Sequence, residues 1–598
     1  FNVINTNDSG SGSLREAITE SNFSSSADVI HFNIVGQAPH HIILNSALDY
    51  IHQPLTIDGS SQPANGFNGI APKIELDGLN NSFNGLDFHY NFPYHQYSSA
   101  IYGLFIHNFM RGIATIGSGK FTCGDVNKRN VISGNYLGGR FENDSILLIE
   151  NNFIGTDTSG SSAFPNHTGI LVVGNQLNNT ILNNVISGDT IGITVIAASA
   201  IIKGNLFGTD KSGSYAIPNI DRAIDSDVTE VTIGGSNAGE GNLISGNCPS
   251  GGIGILCHGN PVIKGNKFGT NLSGTDTIPN HGTAIYISTS NNFQIGGPSL
   301  SDRNIISSSE KGIYIDYGNN GVIQNNLIGT DISNTLSFGN YQEGISIVGS
   351  DSVKIFNNTV AGNGTGIYLL TSNHDSLLNN TIHSNSLNGI FNAGTANNNL
   401  FSINSIYDNG ANGIKNNFYA NDSILKPIII LCTPDSVLGT SLPGARIELY
   451  YSQSLNNTPQ GKDYIATVTA DLSGSWKYLG TITNVQKITA TQTDNYNNTS
   501  EFAELLTVGI NDIEISDKKL ISPNPSSGKF TIQSPKEKIS QITITNISGQ
   551  AIFKKEFLSS PLAVRGSYEI DLTNQSKGIY LLQVIAGKEV YNQKIILD

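Results

Sequence analysis

Methionine and tryptophan occur once each in this chain of 598 residues, and charged side chains make up only 13% of it. About a quarter is usual for globular proteins. A long helical protein needs Ala, Leu, Glu and Lys in quantity, so that class is excluded. The 65 glycines and 19 prolines are too few for a low-complexity disordered chain. No apolar run approaches the ~20 residues of a membrane-spanning helix, and the longest, near Ile428 to Leu431, is strand-sized. Four cysteines in such a length are not a disulfide framework. Cys248 and Cys257 are near enough in sequence to bridge, while Cys123 and Cys432 stand alone; only geometry decides. Basic side chains number 32 against 47 acidic ones, a net charge of −15. That sign disfavours nucleic acid and anionic membrane surfaces as partners. The chain starts at Phe1 rather than at methionine, and removal of a leader peptide is the expectation.

What the sequence has is repetition. Asn-x-Ile-x-Gly-Asn recurs as NVISGN at 130–135, NVISGD at 184–189 and NLISGN at 242–247, with weaker copies to NSIYDN at 404–409. Between them lie NNFIGTDTSG at 151–160, GNLFGTDKSG at 204–213, GNKFGTNLSG at 265–274 and NNLIGTDISN at 325–334. Steps from the first motif to the second are 21 to 24 residues, and the return steps are 32 to 38. The unit is therefore about 22 residues, with an insertion at GTD in alternate units. Each unit holds three short apolar-alternating stretches separated by Asn and Gly, which tolerate left-handed turns. That describes one coil of a parallel β-solenoid, in which stacking buries what no coil can bury alone. Repeated Asn at a corner predicts a side-chain hydrogen-bond ladder. The aspartates Asp157, Asp210 and Asp331 recur, and Asn271 replaces the acid in one copy. They read as turn-closing groups, because a turn is needed in every repeat and an active site only once.

The opening FNVINTNDSGSGSLREAITESN, followed by ADVIHFNI, resembles the Ser-Leu-Arg-Glu-Ala motif that begins many secreted right-handed parallel β-helix proteins; Ser13 stands where that family often has cysteine. Locally it reads as a capping helix with Ser11 or Ser13 as N-cap and Leu14, Ala17 and Ile18 on one face. The expected fold is all-β: a right-handed parallel β-helix over residues 1–425, then two small β-sandwich domains. Residues 426–509 contain ARIELYY, YIATVTA, SWKYLG and KITATQTD and resemble bacterial Ig-like modules. There Asp494, Asn495, Asn497 and Glu501 are either possible calcium ligands or an Asx-rich turn. Residues 510–598 contain ISPNPSSGKFTI, ITITNISGQAIF and KGIYLLQVIAGKEVYNQKIIL. They resemble the C-terminal sorting domain of type IX secretion. The resemblance implies export by that machinery in a Bacteroidota-type bacterium, and a secreted or outer-surface location.

Candidate chemistry follows from aligning the coils on their Gly-Ile strands. One outward row runs Leu171, Thr194, Asp225, Leu256, Tyr286, Tyr314, Ser346, Tyr368, Phe391, Lys415; the next contains Asp227, His258 and Asp316. Asp225 and Asp227 stand two residues apart on one strand, about 6.6 Å between Cα atoms. That spacing suits paired-carboxylate hydrolysis, with His258 one coil on to assist proton transfer. Tyr286, Tyr314, Tyr368 and Phe391, with Asp316, would hold sugar rings. The competing reading is a solvated ladder whose tyrosines cover the backbone. Polygalacturonase-type β-helices carry an Asp-Asp pair and an Arg-Ile-Lys that are absent here. For lyase chemistry Arg222 and Lys264 are candidate bases, but no clustered basic groove is visible in the sequence. His40, His41, His89, His95 and His107 show no metal-site spacing, and no metal site is expected. The first expectation is thus polysaccharide or surface binding without turnover, the second a glycan hydrolase or lyase, the third a structural adhesin or stalk.

Overall fold

The computed structural model describes the chain except residues 66, 68–70, 81, 91–97, 118, 175–177, 229, 483–486, 508–519, 534–538, 547–548, 558–566 and 587–588. His95 therefore lies outside the described residues. Three parallel sheets of 15, 14 and 13 strands run through residues 2–416. One coil visits each sheet in turn, as Lys120–Cys123, Val131–Ile132 and Leu137–Glu142 do. This is the parallel β-solenoid that the 22-residue unit predicts, the architecture of the right-handed β-helix proteins that the opening motif resembles. Alternating Ile, Val, Leu and Phe side chains point inward and form one continuous core.

Asparagine sets the corners. Asn130, Asn152, Asn184, Asn205, Asn242, Asn266, Asn304 and Asn326 stand between the first and second sheets. Each Nδ2 donates to the next Oδ1 at 2.9–3.1 Å. The same Oδ1 also accepts the backbone N–H of the asparagine before it, as Asn205 Oδ1 does from Asn184. The sequence steps between bonded partners, 22, 32, 21, 37, 24 and 38, are the repeat spacings themselves. A second ladder, from Asn135 onward, marks the corner between the second and third sheets.

The GTD insertions leave the coil and fold back over the second sheet. Asp210 Oδ1 accepts the N–H groups of Ser214 and Tyr215 at 2.9 Å each. Burial alone would raise the Asp331 carboxyl, but bonds from Ser333, Leu336 and Thr335 hold it at about 2. These aspartates close turns. The preceding glycine has no alternative: Gly208 has φ +78°, and a Cβ there would overlap Asn247 Oδ1 and the Ser245 carbonyl. Successive excursions also bond to one another, Lys211 N–H to Gly160 O at 2.9 Å, Leu272 to Gly213 at 3.1 Å and Ile332 to Gly274 at 3.0 Å.

Both ends of the stack are covered. Helix Leu14–Ser21 buries Leu14, Ala17 and Ile18, with Ser13 as its N-cap accepting from Glu16 N–H at 3.2 Å. At the other end, segments 441–474 and 489–505 belong to the same compact unit as the solenoid. Gln460 Oε1 accepts both the N–H and the Nδ2 of Asn409 at 3.0 Å, supplying the rung that a further coil would have supplied. Tyr450 and Phe502 extend the core.

The second unit contains Ile429–Thr440, Ser475–Ile488 and Leu506–Asp598. Within it, antiparallel sheets of three and four strands between Ile521 and Leu597 enclose a core of Phe530, Ile532, Ile542, Ile570, Leu582 and Val584. All four cysteines are buried free thiols, Cys248 and Cys257 included. Burial pushes the Cys248 thiol up to about 12, so it stays protonated.

Candidate functional site

The outward rows of the third sheet stand in the register that the repeats predict. Asp225 pairs with Leu256, Leu256 with Tyr286, Tyr286 with Tyr314, Tyr314 with Ser346, Ser346 with Tyr368, and Tyr368 with Phe391. Asp227 and His258 are adjacent partners in the next row. Asp225 is not left beside Asp227 alone, because Arg222 Nη1 donates to Asp225 Oδ2 at 2.6 Å. The Tyr286 and Tyr314 rings lie 4.9 Å apart, and Tyr368 and Phe391 stack at 5.5 Å with 12° between planes. Tyr286 donates its hydroxyl to Asp316 Oδ2 at 3.2 Å. Burial and the Asp316 charge push the Tyr286 hydroxyl up, so it remains a donor. Ser346, between two tyrosines of the row, is buried with its Oγ unpartnered.

A feature the sequence does not reveal lies on the second sheet. Its outward row runs Phe153, Val185, Leu206, Leu243, Lys267. The stacked excursions form one wall over this floor, and the corner segment around Gly235–Gly241 forms the other. They enclose a groove of about 710 Å3. Arg129, Lys211 and Lys267 line it; among the described residues no Asp or Glu faces it, and Glu240 of the corner segment pairs with Lys203 at 3.0 Å. The Arg129 guanidinium lies 3.9 Å from the centre of the Phe153 ring and donates to Asn151 O at 3.2 Å. Burial pulls Lys267 below the usual lysine range. The sequence suggested no clustered basic groove; the three cations that line this one come from a corner, an excursion and a strand. Only the stacking of excursions brings these together.

Four further residues that no spacing connects also meet. His41, Glu75, Asp77 and His107 share the outward face of the first strands of the second sheet. An alignment of HHII, IELD and LFIH by coil would have been the signal. His40, next to His41, points inward and is buried. Asp494 closes its own turn, accepting from Tyr496 and Asn498 N–H, and Glu501 pairs with Lys415 at 3.0 Å.

Residues 520–598 match the family model of the secretion system C-terminal sorting domain. The C-terminal module is a type IX sorting domain. Its presence makes this a secreted or cell-surface β-helix protein that engages the type IX export machinery. No described helix is long and apolar enough to cross a membrane. Residues 262–432, in the later coils, match the model described as periplasmic copper-binding protein (NosD). Among solved structures, the chain is similar to tailspike protein 3 of bacteriophage CBA120, at 13% identity and TM-score 0.36. That match covers 78% of this chain and 66% of the tailspike. It is also similar to the A-module of an Azotobacter vinelandii mannuronan C-5 epimerase, at 12% identity and TM-score 0.24, covering 69% of this chain and 89% of that one. The surface adhesin PfbA of Streptococcus pneumoniae is 11% identical with TM-score 0.26, the match covering 63% and 91%. No curated protein matches the chain.

Proposed function

We infer that the exported β-helix binds an acidic polysaccharide in the groove over its second sheet. The observation that carries this reading is the gathering of Arg129, Lys211 and Lys267 without a lining carboxylate in a chain of net charge −15. Cations left unpaired in a half-buried groove favour an anionic ligand. Phe153, Val185, Leu206 and Leu272 supply apolar surface for the sugar faces between the charges. The stacked coils repeat about every 4.8 Å, so an extended chain can lie along the axis and be held at several rungs.

A second reading places neutral sugar rings on Tyr286, Tyr314, Tyr368 and Phe391, with Asp316 as a polar contact; the in-register aromatic rows favour it. A glycan hydrolase using Asp225, Asp227 and His258 has less in its favour, since the Arg222 guanidinium occupies one of its two carboxylates.

Binding of the full-length protein to uronate-containing and neutral polysaccharides separates the readings. The expected result is retention of the acidic polymers, weakening as salt is raised. Lys211→Gln and Lys267→Gln should each cost roughly tenfold in affinity, the equivalent of about 1.4 kcal/mol. Tyr368→Ala should leave binding unchanged. Equal binding of neutral polymers, or full binding by the double lysine variant, refutes the groove. Release of reducing ends or unsaturated products by the wild type, lost in Asp227→Asn, would establish the enzyme instead.

A further inference from the structure

We propose that His41, Asp77 and His107 bind a divalent transition-metal ion on the outward face of the second sheet, with Glu75 orienting His107. The proposal starts from an unexplained atom. His107 has an 8% exposed side chain, and its Nδ1 is buried without a hydrogen-bond partner. Its Nε2 lies 2.8 Å from Glu75 Oε1. A carboxylate can only accept, so Nε2 carries a ring proton, and the neutral tautomer then offers the Nδ1 lone pair to a cation. A buried acceptor without a donor is unfavourable, and a bound cation would remove that cost. This arrangement, a histidine donating one nitrogen to a carboxylate while the other faces a ligand position, is how metal-bound imidazoles are oriented.

The free nitrogen faces the right neighbours. Nδ1 of His107 is 3.9 Å from Asp77 Oδ1, and His41 Nε2 donates to Asp77 Oδ2 at 3.2 Å, a proton that a bound ion would replace. One donor atom from each of the three residues lies within 4.8 Å of the other two. Donors around a tetrahedral ion with bonds of about 2.0–2.1 Å stand roughly 3.4 Å apart, so the three side chains close inward on binding. Asp77 is itself fixed, since its Oδ1 accepts from Leu79 N–H at 2.8 Å and Asn108 Nδ2 at 2.9 Å. That leaves Oδ2 as its ligand atom. Phe105 stacks on His107 at 4.5 Å and Phe164 flanks it at 5.9 Å, holding the ring in place. The His41 side chain is 44% exposed and provides the entry path. Two imidazoles and one carboxylate suit zinc, copper or nickel better than calcium or magnesium, which take oxygen ligands. Three protein ligands leave a position for water or a ligand group.

Full-length protein treated with chelator, then offered zinc, copper or nickel chloride separately, is expected to take up one tight equivalent in calorimetry and elemental measurement. His41→Gln and His107→Gln should each lose that equivalent, and Glu75→Gln should weaken it about 10–100-fold. His41 is exposed enough that its variant folds, which a thermal melt checks. Zinc should raise the wild-type midpoint and leave that of His41→Gln unmoved. Cobalt loading gives a second readout, a visible absorption band present in the wild type and absent in His41→Gln. Equal uptake by wild type and His41→Gln, or no ion bound tighter than millimolar, overturns the site.

Discussion

Replacing Asn205 with leucine is expected to destabilise the β-helix by about 3–5 kcal/mol, within the range for breaking a buried polar network. The side chain is fully buried. Its Nδ2 is shared among Ile181 O at 2.9 Å, Lys203 O at 3.1 Å and Asn242 Oδ1 at 3.1 Å. Its Oδ1 accepts from Asn184 N–H at 2.9 Å and Asn184 Nδ2 at 3.0 Å. Leucine has nearly the same bulk and none of these groups. Asn184 would lose acceptors for two donors, and the Ile181 carbonyl would lose its side-chain donor, each in a place that water cannot reach. Every coil of a solenoid is held by its neighbours, so a broken rung weakens both interfaces it joins. Chemical denaturation of full-length wild type and variant measures the difference. Thr180→Ala, an outward and partly exposed position of a neighbouring coil, should shift stability by less than about 0.5 kcal/mol. A loss below about 1 kcal/mol at Asn205 would mean that the ladder is incidental to the fold.

The same ladder explains why so much of the architecture is legible in the sequence. A 22-residue unit with Asn at fixed corners leaves almost no freedom in register, because a slip by one residue would turn the isoleucines outward. Hence Asp225, Tyr286, Tyr314, Tyr368 and Phe391 fall into one row as the alignment requires. Where the corner asparagines are missing, the coil-by-coil alignment of side chains has no anchor. The coils before Asn130 have no such marker, and His41, Asp77 and His107 are separated by irregular lengths of chain that match no local motif. The groove escaped for a different reason. Arg129, Lys211 and Lys267 follow no common period, and they converge only because the GTD excursions stack on one another. Gln460 is a third case: it continues the Asn409 rung from a segment with no repeat, so nothing in its surroundings announces the role.

Asp189 is the one acid in the second corner ladder, and its replacement by asparagine is expected to stabilise the protein in a pH-dependent way. Asp189 Oδ1 behaves as an asparagine carbonyl would, accepting Asn166 N–H at 2.7 Å and Asn166 Nδ2 at 3.0 Å. Its Oδ2 occupies the place of the amide nitrogen and has no partner. The neighbouring rung, Asn219 Oδ1, accepts Asp189 N–H at 3.1 Å and would accept an amide as well. Burial pushes the Asp189 carboxyl well above its usual range. The folded chain therefore holds this proton over a pH interval in which the unfolded chain has released it. The stability that accompanies the neutral carboxyl is fully present below the unfolded value of about 3.9 and is lost as pH rises toward the folded one. An amide at this rung cannot ionise and restores the donor, so Asp189→Asn should gain about 1–3 kcal/mol at pH 7.5 and much less at pH 4. Asp375, a second buried carboxyl raised to about 7, is present in both proteins and cancels from the comparison. Urea midpoints of the two proteins at pH 4 and pH 7.5 give the result. A gap of the same size at both values would show that Asp189 is already ionised in the folded chain, and with it that a buried charge is tolerated in the middle of the ladder.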